Sequence, residues 1–132
     1  MNGYEAVAKI LKMEGVEWLA CFPSNPLIEA AAREGIRPIV FRQERGGVMA
    51  ADGFSRMNNG RKFVTKWAEA VNRPDRVVSL MRRAIHALKN GRPGPVLLEL
   101  HRDAMAGEVT NLDTYKSPKA MRVAPSQSDI KD

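Results

Sequence analysis

The chain alternates between helix-spaced and strand-like apolar patterns, and that alternation narrows its fold more than any other property. Val7, Ile10 and Leu11 recur at helical spacing over residues 4–14, and Gly15 follows them. This predicts an amphipathic helix with a glycine stop. Residues 17–22 are short and largely apolar and are broken by Pro23-Ser24-Asn25-Pro26, which predicts a strand. Pro26 is placed to open a second helix through Arg33 or Glu34, closed by Gly35. Residues 38–41 predict a second buried strand, and a glycine- and alanine-rich helix follows it. Farther along, Asn72-Arg73-Pro74 reads as a turn, and Val77, Leu80, Met81, Ala84, Ile85 and Leu88 trace one apolar helix face ending at Asn90-Gly91. Residues 95–100 are a compact apolar run suited to a strand covered on both faces. Helices alternating with buried strands imply an α/β domain, a parallel sheet flanked by helices.

At 132 residues there is room for one domain with a core and none for a second of normal size. Aromatic residues are 6% of the chain, so that core rests on Leu, Ile, Val and Met. Cys21 is the only cysteine; an internal disulfide is impossible, no zinc spacing is present, and a reducing, cytoplasmic setting is expected. Residues 1–5 lack a basic leader followed by an apolar stretch, and no run approaches about 18 apolar residues, so neither secretion nor a membrane partner is expected. The net charge of +6 is concentrated after residue 40, where seventeen basic side chains face ten acidic ones. Those basic residues are scattered and lack interleaved aromatics, which argues against a nucleic-acid partner.

Glu44 is the residue whose setting most needs a reason. It stands between the second strand and Gly46, Gly47, Ala50, Ala51 and Gly53. Each interior glycine lowers helix stability by roughly 1 kcal/mol relative to alanine, which makes sense where something approaches the backbone closely. On composition alone Glu44 reads as a helix-end acid or an ion-pair partner of Arg42 or Arg45.

The segment from Phe41-Arg42-Gln43-Glu44 to Ser55-Arg56 resembles the N-terminal, pyrimidine-binding domain of thiamine diphosphate enzymes such as acetolactate synthase, benzoylformate decarboxylase and pyruvate oxidase. The resemblance continues through Gly15-Val16-Glu17-Trp18-Leu19-Ala20-Cys21-Phe22-Pro23, Val64-Thr65-Lys66-Trp67 and Gly91-Arg92-Pro93-Gly94-Pro95-Val96. It implies that the cofactor is thiamine diphosphate and that Glu44 meets the N1′ nitrogen of its aminopyrimidine, a contact that needs a desolvated carboxyl. It also implies that Pro23, Ser24 and Asn25 form the loop beside the cofactor, although Cys21 and Ser24 stand where relatives usually have glycine. Substrates would be 2-oxo acids, undergoing carboligation or decarboxylation.

The same resemblance implies an internal deletion. Arg61-Lys62-Phe63 replaces a long central stretch, and no Gly-Asp-Gly motif appears for holding the diphosphate and Mg2+. Residues 1–104 are therefore expected to be a truncated pyrimidine-binding domain. Residues 105–132, with Ser117-Pro118 and Pro125-Ser126, are expected to be a linker toward an absent central domain. Expected partners are a second copy or a full-length relative that completes the site; the alternative is a non-catalytic fragment docking through residues 46–57.

Other polar residues carry weaker expectations. Asp52 and Arg56 read as a helix ion pair, and Arg42, Gln43 and His86 as surface groups. His101 reads as a surface residue without a partner acid, Trp67 as core, and Gly91-Arg92-Pro93-Gly94-Pro95 as a turn, since it lacks the lysine and hydroxyl of a phosphate loop.

Overall fold

The computed structural model describes residues 1–23, 25–57, 66–91 and 94–121. Helix α1 (Gly3–Met13) is started by a capping box: Glu5 N donates to Asn2 Oδ1 at 2.9 Å, and Asn2 N donates back to Glu5 Oε2 at 3.0 Å. It ends at Gly15, whose φ of 79° is a left-handed conformation that favours glycine. Strand β1 (Trp18–Cys21) leads to α2 (Pro26–Arg33), where Asn25 Oδ1 accepts from Leu27 N at 2.9 Å and Pro26 occupies the first turn. Strand β2 (Arg37–Val40) then runs parallel to β1, with Trp18 opposite Arg37 and Cys21 opposite Val40. Helix α3 (Glu44–Met57) follows.

A second unit of the same kind comes next. Strand β3 (Trp67–Val71), a 3-10 turn (Pro74–Arg76), α4 (Val77–Lys89) and β4 (Val96–Leu100) form another parallel crossover, with Trp67 opposite Val96 and Val71 opposite Leu100. Helix α5 (Arg102–Ala106) and a 3-10 turn (Leu112–Thr114) complete the described elements. The parallel α/β class is therefore as the sequence predicts. The single sheet is not: among the described residues β1–β2 and β3–β4 are separate two-stranded sheets. The junction at residues 58–65, where the resemblance implies a missing stretch, lies outside the described residues.

Helix α1 holds the two units together. Its Ala6, Val7 and Ile10 enter a core with Val71, Val77, Leu80, Met81 and Met105, while Ala8 enters a smaller one with Ala30, Ala31 and Ile36. Tyr4, Leu11 and Leu27 border both. Ile10, Leu80 and Met105 are fully buried, each contributing about 2 kcal/mol of transfer free energy.

Three expectations are corrected. Strand β2 is not buried: Val40 is 57% and Ile39 37% exposed, and since neighbouring strand residues point to opposite faces, neither face is fully covered by the described elements there. Strand β4 is covered on one face, with Val96, Leu98 and Leu100 turned inward and Leu97 exposed. Among the described residues, those from Met105 to Met121 pack on the domain rather than leaving it as a linker. Met105, Val109 and Tyr115 are buried in the main core, and Val109 N donates to Met1 O at 2.8 Å. Periodicity fades there because the packing is done by single residues between short turns.

Polar contacts fix residues 115–121 as a strap. Tyr115 Oη donates to Glu14 Oε1 at 2.5 Å, and Lys89 Nζ lies 2.5 Å from Glu14 Oε2 and 2.9 Å from Ser117 Oγ. The Glu14 side chain is 3% exposed. Burial pushes its carboxyl pKa up, but hydrogen bonds from Lys89, Tyr115 and Ser117 and the Lys89 charge outweigh that and hold it below the usual value. The Tyr115 hydroxyl is raised by burial and by the same carboxylate. Asn90, 7% exposed, donates from Nδ2 to His86 O and Lys119 O and accepts at Oδ1 from Met121 N at 2.6 Å. The Lys66 ammonium caps α4, donating to Ala87 O at 2.7 Å and to Asn90 O. Among the described residues no helix is long and apolar enough to cross a membrane.

Candidate functional site

Phe41 sets the angle at which α3 leaves β2. Its N–H donates to Cys21 O at 2.8 Å, carrying the β1–β2 ladder one step past the strand, and its ring lies under the first turn of α3. A Cβ placed on Gly46 or Gly47 would sit 3.4 Å from that ring. The close approach expected at this helix is thus partly internal. It does not account for Gly53, where a Cβ would meet nothing within 4 Å.

This geometry puts Glu44, the first residue of α3, beside the end of β1. Gly46 N donates to Gln43 O at 3.1 Å, so the helix begins on the Gln43 carbonyl and Glu44 stands in its first turn, where the helix dipole favours an acid. Glu44 lines a cleft of about 410 Å³ with Phe22, Pro23, Asn25, Leu27 and Ile28. Three of the four residues singled out from sequence therefore share one cleft; Ser24, the fourth, lies outside the described residues. The Asn25 oxygen is engaged as the α2 cap.

The cleft's chemistry is a carboxyl at the rim of apolar walls. Leu19, Phe22, Leu27 and Ile28 suit the faces of a flat heteroaromatic ring, and a carboxyl at the edge suits a ring nitrogen. Such a ring fits the residues present, with one shortfall: Glu44 is exposed, whereas holding a proton against a ring nitrogen calls for exclusion of water. The surface next to it is apolar. Val48 and Met49 on α3 are each 64% exposed, and Phe22, Ile39 and Val40 are exposed nearby in the chain. Among the described residues no three His, Cys, Asp or Glu side chains converge to hold a metal ion.

The remaining singled-out residues fall elsewhere. Arg42 and Gln43 are exposed. The expected Asp52–Arg56 pair involves a side chain outside the described set. His86 is exposed on α4. His101 does have an acid beside it, Glu99 Oε1 at 3.6 Å, an ion pair when the imidazole is protonated. Trp67 is half-buried at the core's edge beneath the Arg83 guanidinium, 5.8 Å from the ring centroid. Sequence reasoning missed the cleft walls Leu27 and Ile28, gave Leu19 no part in the site, and missed Phe41. An aromatic three residues before the acid and facing two glycines was the available signal for Phe41.

A family model described as Thiamine pyrophosphate enzyme, N-terminal TPP binding domain, matches residues 1–85. That span holds both β1 and β2, the loop at Pro23 and Asn25, and Glu44. Comparison with curated proteins gives no match.

Proposed function

Because the chain belongs to the thiamine pyrophosphate enzyme N-terminal domain family, we propose that it supplies the aminopyrimidine half of a thiamine diphosphate site that a second chain completes. The observation that carries this reading is the position of Glu44, at the head of α3 and at the rim of a cleft with apolar walls. Bound thiamine diphosphate supplies a sink for the carbanion that forms when a 2-oxo acid is decarboxylated or joined to another carbonyl compound. This chain's own residues would serve the aminopyrimidine alone. Leu19, Phe22, Leu27 and Ile28 would hold the ring by its faces, and Glu44 would hold a proton at its carboxyl against the ring nitrogen.

Desolvation of Glu44 falls to the partner in this reading. The exposed Val48, Met49 and Val40 offer the apolar surface on which a second copy or a full-length relative would close. Diphosphate and Mg2+ would be held by that partner. An enzyme of acetolactate synthase or decarboxylase type is the context these features support.

Calorimetric titration with thiamine diphosphate and Mg2+ tests the proposal, using the chain and Glu44→Gln, each alone and mixed with a full-length enzyme of this family. Heat of cofactor binding that grows on mixing and falls at least tenfold in affinity with Glu44→Gln is the expected result. Absence of heat in every mixture, or equal affinity in both forms, refutes it.

A further inference from the structure

We propose that the cleft between α4 and the strap at residues 115–121 binds a small organic anion of two or more negative charges, with phosphate esters as its chemical class. The cleft has a volume of about 750 Å³, within the range of roughly 300–1,000 Å³ typical of small-molecule sites. One wall is the outer face of α4. Ser79 lies three and four residues before Arg82 and Arg83, and His86 four and three residues after them, so the four share one face, while Val77, Leu80, Met81 and Ala84 on the other side enter the core. The facing wall is built from Asn111, Thr114 and the strap, with Lys119 at its rim.

Charge gives the cleft its selectivity. Arg83 is engaged with Glu69 Oε2 at 3.9 Å and with the Trp67 ring. Arg82, His86 and Lys119 are not: among the described residues none of them is in an ion pair, and no acidic side chain lines the cleft. Arg82 and Lys119 are permanent cations lining one cleft, with the His86 ring beside them. An anion there takes charge-assisted hydrogen bonds about twice as strong as neutral ones.

The interior gives the ligand its body. Trp67, Val78, Ala87 and Met121 make the cleft apolar between those cations, which suits an organic moiety better than a bare ion. Asn111 donates to Asp75 O at 3.1 Å, which fixes it in the facing wall.

The two tryptophans separate this site from the Glu44 cleft. Trp18 packs edge-on against Phe54 in the first unit, ring centroids 5.0 Å apart, and Trp67 lines the cleft proposed here. In a Trp18→Phe background, tryptophan emission reports on Trp67 alone. Titration with adenosine 5′-monophosphate at low ionic strength should change that emission saturably, with inorganic phosphate competing weakly and adenosine giving no response. Arg82→Gln with Lys119→Gln should raise the Kd at least tenfold, Lys119→Gln alone should raise it several-fold, and Arg33→Gln on α2 should leave it unchanged. Circular dichroism and melting of each variant establish that it is folded. A response that does not saturate, equal Kd values in the parent and in folded Lys119→Gln, or adenosine binding as tightly as its phosphate overturns the proposal.

Discussion

Replacing Tyr115 with phenylalanine removes one oxygen from the core and leaves the ring that fills it. That oxygen donates to Glu14 Oε1 at 2.5 Å, and the carboxylate it serves is 3% exposed. A hydrogen bond to a charged group contributes about 1.5–3 kcal/mol, and because Lys89 still pairs with Glu14 the middle of that range, about 2 kcal/mol, is expected at pH 7. The loss should depend on pH. Glu14 is held below its usual value of 4.5, so its contribution to stability is complete above that value and is lost as pH falls through the lower folded pKa. Once Glu14 is protonated the two oxygens can share only a neutral hydrogen bond, worth about 1 kcal/mol. Urea unfolding followed by tryptophan emission, stepped from pH 7 toward pH 3, measures both quantities. A gap below about 0.5 kcal/mol at pH 7, or one that stays constant as the carboxylate protonates, refutes the reasoning.

Asn90→Ala leaves Met121 N without its acceptor and Lys119 O without its donor, and should cost about 2–3 kcal/mol in denaturant unfolding while speeding proteolysis at residues 117–121. A chain ending at residue 104 loses the fully buried Met105 together with Val109 and Tyr115, and should show no cooperative melt above 25 °C by circular dichroism. Gly53→Ala has open space for its new methyl and should stabilise the isolated chain by about 1 kcal/mol in thermal unfolding. If α3 is the docking surface, the same substitution should weaken association with a family partner in analytical ultracentrifugation.

The parts of this fold that sequence reveals are those decided within a few residues. Gly15 and Gly35 end their helices, Pro26 begins one, and Val77, Leu80, Met81 and Ala84 face inward, each where local spacing puts it. The capping box of Asn2 and Glu5 was equally local and went unread. What local pattern cannot convey is which neighbour exists. Ile39 and Val40 have the composition of a buried strand, and only the arrangement of the remaining elements leaves them uncovered. Glu14 and Tyr115 meet across 101 positions, between elements with no shared periodicity. Glu44 lies between these cases. Its place at a helix start was readable from the strand before it and the glycines after it, its role came from resemblance, and its exposure arises because no described element covers it.

The hydrogen bond between Val109 N and Met1 O and the bridge between Asn2 and Glu108 tie the start of helix α1 to a segment far downstream in the chain. At about 5–20 residues per second, helix α1 leaves the ribosome roughly 5–20 s before the segment that covers it. For that interval Ala6, Val7 and Ile10 have no Met105 or Val109 to pack against. The main core is therefore expected to close only after that segment emerges. A stall anywhere between α4 and α5 holds a greasy N-terminal helix in reach of chaperones, and slow codons there should lower the yield of folded protein without altering a single residue.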